Sequence, residues 1–315
     1  MIENMALITF ITGFLGATIR MATPIIITSL GEMFTERSGV MNLGIEGIVW
    51  IGAFAGFTGT YLTGNLLVGF LFGALAGLIL GLLMSVISVR FTGNQIVTGL
   101  GIWIFCNGLA GVLNRRIFGI SSSIATISPL PNIPIPVLSS IPVLGETFFN
   151  QNIVVYLTIL AIPLTYYFFK EISWGLNIDA TGEQPRAADA SGLKVGRIRT
   201  LSTCFGGILA GIGGAYLPLA LYSVYTNDIS TGLGWIAIVV LVFGKWRPWG
   251  IASGALLFGA ANALEWRLQN TAVDLPYQIT LMLPYIVTLL IVIIFIRGSS
   301  GPSSLAKPYI REENE

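Results

Sequence analysis

The stretch "TGEQPRAADASGLKVGR", residues 181–197, decides how the rest of the chain is read. Charged residues make up 10% of the 315 residues, yet nine of them fall between Lys170 and Arg199. Within this island Pro185 suits a first helical turn, small and charged residues continue to Ser191, and Gly192 supplies a stop. The spacing predicts a short helix. Its alanines offer only a shallow apolar face, unlike the broad one of a helix lying on a membrane. Small side chains with charges between them suit a knob that docks into a groove on another protein.

On either side of the island the chain is oily. Hydrophobic residues account for 54% of it and the mean hydropathy is +0.81, more than a soluble domain of this length needs. Apolar runs of roughly 18 to 25 residues recur, each able to cross about 30 Å of hydrocarbon as a helix. The expected fold is an all-α polytopic membrane bundle, with helices near 6–30, 40–61, 66–89, 94–113, 152–169, 200–222, 232–245, 249–265 and 276–296. The N-terminal apolar stretch has no basic residue ahead of it and carries Arg20, so it reads as a retained first helix.

Basic residues favour the cytoplasmic side of short loops, and Lys194, Arg197 and Arg199 therefore put the 170–199 island inside the cell. Alternation then leaves the 114–151 segment outside, where Arg115 and Arg116 run against the rule, and the 297–315 tail inside. The 114–151 segment holds five prolines between residues 129 and 142 and no clean helical period, which predicts an external loop lying on the bundle.

Several chemistries are excluded at once. The chain has no histidine, which removes His-based acid/base work, a Ser-His triad and most zinc sites. A net charge of +1 gives no electrostatic footprint for nucleic acid. Gly244-Lys245 is followed by Trp246 rather than Ser or Thr, so no phosphate-binding loop of the ATPase kind is expected. No metal site is expected either, and Cys106 and Cys204 read as small buried hydrophobes.

Two stretches resemble one another: "GFLFGALAG" at 69–77 and "GIASGALLF" at 250–258, followed by Gln95-Ile96 and Gln278-Ile279. Alternation gives the two copies opposite orientations. This predicts two inverted-topology repeats, 6–113 and 200–296, the arrangement on which transporters build alternating access around a midplane site. Gly73, Gly77 and Gly81, and likewise Gly207 and Gly211, recur at every fourth position, where they let helix backbones approach closely.

Polar residues inside the oily segments mark the candidate pathway. Asn42, Glu46 and Trp50 stand at i, i+4 and i+8, which on a helix starting near residue 40 would share one face. Burying Glu46 costs at least a few kcal/mol unless it is paired or faces water. Two roles are open: lining a cavity, or serving as a buried pillar bonded to backbone amides at a broken helix. Asn94 and Gln95 either cap the fourth helix or line the pathway, and Trp235 and Asn262 are further candidates.

"GEQPRAADASGL", with "GGILAGIGGAYL" at 206–217, resembles the permease subunits of bacterial ATP-binding-cassette importers of the branched-chain amino acid, simple sugar and nucleoside group. "ERSGVMNLGIEGIVWIGAF" at 36–54 and "GLGWIAIVVLVFGKWRP" at 232–248 are similar to the nucleoside-type members. The resemblance implies a ten-helix, vitamin B12-importer-like (type II) fold in the bacterial inner or plasma membrane. This chain would lack the counterpart of the usual first helix. It implies two permease chains, heteromeric here, with partner ATPases that bind ATP and Mg and a surface solute-binding protein. Glu183, Gln184, Pro185, Arg186, Ala187, Ala188, Asp189, Ala190, Ser191 and Gly192 would form the coupling helix seated on the ATPase, and this chain would need no cofactor of its own. The expected cargo is a nucleoside. A sugar or another small solute, or an ion-coupled carrier using Glu46, are the alternatives.

Overall fold

The computed structural model describes residues 2–119, 125–270, 280, 282–287, 289–290 and 301–310. Its helices are α1 (Ile2–Arg37), α2 (Ile45–Thr63), α3 (Leu66–Ser85), α4 (Gln95–Phe118), α5 (Leu144–Phe148), α6 (Ile153–Glu171), α7 (Ser173–Glu183), α8 (Pro185–Ala190), α9 (Val195–Tyr216), α10 (Leu233–Phe243) and α11 (Pro248–Asn270). One-turn π segments, Val86–Arg90 and Leu217–Tyr222, prolong α3 and α9.

At 1.5 Å per residue α1 is about 54 Å long, well over the hydrocarbon thickness. It overruns the expected 6–30 span because nothing in "GEMFTER" stops a helix. The stop comes at Gly39, whose φ of +93° closes a Schellman turn. In it Gly39 N–H donates to the Glu36 carbonyl at 2.8 Å and Val40 N–H to the Thr35 carbonyl at 3.2 Å.

This turn also corrects the start of the second helix. Residues 38–44 are an irregular buried connection in which Gly44 N–H donates to Asn42 Oδ1 at 3.1 Å, and α2 begins only at Ile45. Asn42 therefore stands outside the helix rather than on a common face with Glu46 and Trp50, and Glu46 lies in the first turn rather than two turns in.

Small residues set the centre of the bundle. Helix α3 runs along α9 with Gly73, Gly77 and Gly81 facing Gly211, Gly207 and Thr203. A Cβ on Gly77 would fall on the Gly207 carbonyl oxygen, and one on Gly81 would come within 2.8 Å of the Thr203 carbonyl oxygen. Helix α2, buried along most of its length, closes on the same seam: a Cβ on Gly56 would sit 2.6 Å from that of Ala215.

Helix α4 carries on through residues 114–118, so the expected 114–151 loop starts five residues late, at Gly119 with φ +75°. The loop contains α5 and two short strands, β1 (Asn132–Pro134) and β2 (Asn150–Asn152), paired antiparallel with Asn132 opposite Asn152. It lies on the end of α9, where Leu130 N–H donates to the Leu219 carbonyl at 2.8 Å and Ile127 N–H to the Ser223 carbonyl at 3.0 Å.

Among the described residues six helical segments are long and apolar enough to cross a membrane: Thr9–Arg37, Ile45–Thr63, Leu66–Arg90, Gln95–Phe118, Ile153–Glu171 and Val195–Tyr222. Of the nine expected spans, α10 has 11 residues, about 16 Å of helix, so it reaches only half-way. Helix α11 is continuous over 23 residues, but Asn262, Glu265 and Arg267 break its apolar run. Most of 276–296 lies outside the described residues, as do Gln278 and Ile279 of the repeat comparison and Arg297 of the tail; residues 282–287 are helical.

Candidate solute junction and coupling platform

Glu46 is buried, and its carboxylate joins two helix beginnings. Oε1 accepts from Ser230 Oγ at 2.5 Å and Gly232 N–H at 3.2 Å, and Oε2 accepts from Gly234 N–H at 2.6 Å. Gly232, with φ +84°, is the residue that opens α10. The carboxylate thus sits at the N-terminal ends of both α2 and α10, where unpaired amides and helix dipoles favour negative charge. A half-length helix whose N-terminus is met by a polar group is the kind of broken element from which transporters build midplane sites. Gly234 has no room for a side chain, since a Cβ would stand 2.6 Å from the Glu46 backbone.

Ser230 also faces a cavity of about 210 Å³ between α1, the π segment after α9, and α11. Asn262, Glu265 and Gln269 contribute polar groups to its wall, and Tyr222, Trp266 and Tyr285 contribute rings. Asn262 is thus beside this cavity. Trp50 is buried in the core of α2, and Trp235 packs edge-on against Trp103 at 5.8 Å. Asn94 caps α4, accepting from Ile96 and Val97 N–H at 3.0 and 3.1 Å. Gln95 Oε1 accepts from Met41 N–H at 2.8 Å, and Glu32 Oε1 accepts from Asn42 N–H at 3.1 Å. The structure therefore gathers Asn42, Gln95 and Glu32 around the α1–α2 connection. Asn94, next to Gln95, spends its side chain on the α4 cap, and Asn262 lines the cavity beside Ser230.

The second locus is the α8 end of the molecule. Gln184 separates α7 from α8, Pro185 is the first residue of α8, and Gly192 at φ +87° follows its end, with Leu193 N–H donating to the Ala188 carbonyl at 3.0 Å. Ala188 is buried, whereas Gln184, Arg186, Ala187, Ala190, Ser191 and Gly192 are exposed. Pro185 and Asp189 are half-buried, and Glu183, exposed, is the last residue of α7.

Behind α8 lies a set of contacts that the sequence reading missed. Arg37, ending α1, grips Asp179 of α7 with Nε at 2.6 Å and Nη2 at 2.5 Å, and its guanidinium lies 3.9 Å from the Phe169 ring centre. Burial pushes the Asp179 carboxyl above its usual range; the Arg37 guanidinium opposes the rise, and Glu183 adds to it. Trp246 Nε1 donates to Glu36 Oε2 at 2.7 Å, and Arg199 Nε donates to the Ser38 carbonyl at 3.1 Å. The end of α1 is thereby tied to α7, α9 and the turn between α10 and α11. The available signal was two carboxylates, Glu32 and Glu36, one turn apart at the end of an oily helix.

Membrane-length helices, a half-helix opened by a buried carboxylate and, beside it, a largely apolar cavity with a few polar groups in its wall define a polytopic membrane transport protein. Residues 14–295 match the family model described as branched-chain amino acid transport system / permease component, and the chain belongs to that family. It is similar to the guanosine ABC transporter permease protein NupQ of Bacillus subtilis, 36% identical over 94% of this chain and 95% of that one. The nucleoside ABC transporter permease protein NupC of Lactococcus lactis is 30% identical over 93% of this chain and 95% of its own. A Haloferax volcanii protein provisionally named a glucose ABC transporter permease, TsgC13, is 36% identical over 84% of this chain and 80% of its own. The chain is a multi-pass permease subunit of an ATP-binding-cassette importer in the bacterial plasma membrane.

Proposed function

We propose that this permease conducts nucleosides and is driven by partner ATPases through α8. The observation that carries the reading is similarity over nearly the whole chain to permeases named for guanosine and nucleosides. The cavity beside Ser230 supports it, because Asn262, Glu265 and Gln269 can hydrogen-bond a base or ribose while Tyr222, Trp266 and Tyr285 offer ring faces.

In this reading the ATPases bind ATP and Mg, and their closure displaces residues 183–192 on the cytoplasmic side. Inverted repeats at 6–113 and 200–296 then rock to open the pathway alternately. A second, non-identical permease completes the pore, and a surface binding protein delivers the solute. The chain itself makes and breaks no covalent bond and carries no ATPase motif; it binds, orients and releases.

The test is uptake of labelled guanosine by proteoliposomes holding the full importer, with unlabelled nucleosides and sugars as competitors. Nucleosides should suppress uptake and glucose should not. The similarity to TsgC13 favours a second reading, a sugar importer, and uptake of labelled glucose, suppressed by glucose and not by nucleosides, with no uptake of guanosine, would establish it.

A further inference from the structure

We propose that residues 301–310 are a positioning strap that fixes the base of α8 against the bundle, with Ser303 and Ser304 as its clasp. This inference rests on the reading of α8 as the ATPase contact. Ser303 Oγ and N–H both donate to Glu183 Oε2, at 2.6 and 3.2 Å. Ser304 N–H donates to the Gly182 carbonyl at 2.9 Å, and Ser304 Oγ donates to the Glu183 carbonyl at 3.2 Å. Four bonds thus fall on the two residues immediately before Gln184 and Pro185.

The other end of the segment is anchored to the bundle. Arg199 Nη1, on the first turns of α9, donates to the Lys307 carbonyl at 3.0 Å, while Arg199 Nε holds Ser38 behind α1. Gly301 lies against the Trp246 ring, which is itself bonded to Glu36. The strap therefore spans α7, α9 and the α10–α11 turn.

Gly182 explains why the base of α8 needs holding at that point. A Cβ there would overlap the Arg37 carbonyl oxygen, so the backbone of α7 touches the end of α1 directly. A push on α8 reaches the bundle through this contact only while the α7–α8 junction is stiff. Bonds to the Glu183 carboxylate, charge-assisted on the acceptor side, and to the Gly182 and Glu183 carbonyls supply that stiffness. Glu183, though exposed, has its carboxylate engaged by its own chain.

The experiment uses the complete importer in proteoliposomes with guanosine and its binding protein, and reads the ratio of solute-stimulated to basal ATP hydrolysis. Ser303→Ala should lower that ratio about fivefold without lowering basal hydrolysis, and Ser303→Thr, which keeps the hydroxyl, should restore it. Hydrogen exchange in the same complex should show the Ser304 amide protected, and faster exchange in Ser303→Ala. Ala187→Glu serves as the control on α8. If it abolishes stimulation while Ser303→Ala behaves as wild type, the strap is overturned and the α8 reading stands. If Ala187→Glu keeps full stimulation, the α8 reading fails and the strap's role fails with it. An unprotected Ser304 amide in the wild-type complex overturns the strap directly.

Discussion

Glu46 Oε2 and Gly234 N–H meet at 2.6 Å, so the first turn of α2 supplies the N-terminal cap of α10. No solute is needed to satisfy that carboxylate. Glu46→Gln should therefore weaken the fold before it alters selectivity, because an amide NH₂ turned toward Gly232 or Gly234 leaves a buried donor unpaired. The expected loss is about 1–3 kcal/mol, with Glu46→Ala at the upper end, and thermal unfolding of the detergent-solubilised complex measures it. Unchanged unfolding in both variants would show that the cap carries no load.

Along the α3–α9 seam Gly77→Ala should destabilise by about 1–3 kcal/mol through overpacking, since the new methyl meets the Gly207 carbonyl. Gly101→Ala is the matched comparison: nothing lies within 4 Å of a Cβ there, and the helix gains rather than loses. Size-exclusion profiles after graded heating separate the two. Equal behaviour would remove the seam as a source of stability.

On α8, Ala187 is exposed and Ala188 is buried. Ala187→Glu should leave the permease folded and abolish solute-stimulated ATP hydrolysis, whereas Ala188→Glu should already reduce yield of the folded chain. Parallel assays of yield and hydrolysis read both. A fully stimulated Ala187→Glu complex would mean the exposed face of α8 touches no ATPase.

The Arg37–Asp179 pair gives a pH signature. Burial raises the Asp179 carboxyl above its ordinary 3.8 and Arg37 opposes that rise. Folding thus favours the protonated acid: this contribution is complete below the unfolded value and is lost as pH climbs through the folded one. Arg37→Ala removes the opposition and widens that window upward. Its stability deficit against wild type should be small in acid, where Asp179 is protonated in both states, and grow as pH rises and the carboxylate must ionise without its partner, as read from unfolding temperatures across a pH series. A pH-independent deficit would assign the effect to the Phe169 contact instead.

How much of this could be read beforehand depends on how local each feature is. The bounds of α8 were legible because Pro185 and Gly192 act on their own backbone, and the glycine seam because a spacing of four puts small residues on one helix face. The start of α2 was not, because hydrophobicity continues through residues 40–44 and only the left-handed turn at Gly39 breaks the helix. Glu46 announced itself as costly, but Ser230 stands 184 positions away. Backbone amides such as those of Gly232 and Gly234, which donate to Glu46 from the main chain, leave no mark in a sequence. Ser303 and Ser304 were unremarkable tail residues for the same reason.

The strap has a consequence for biogenesis. Glu183 and Arg199 receive their partners from residues 303–307, so the platform under α8 stays unfinished until that stretch has cleared the ribosome. A product released early would enter the bilayer with its helices but without a rigid seat for the motor. On the proposed reading of α8 as the ATPase seat, translation thereby withholds the drive from incomplete chains.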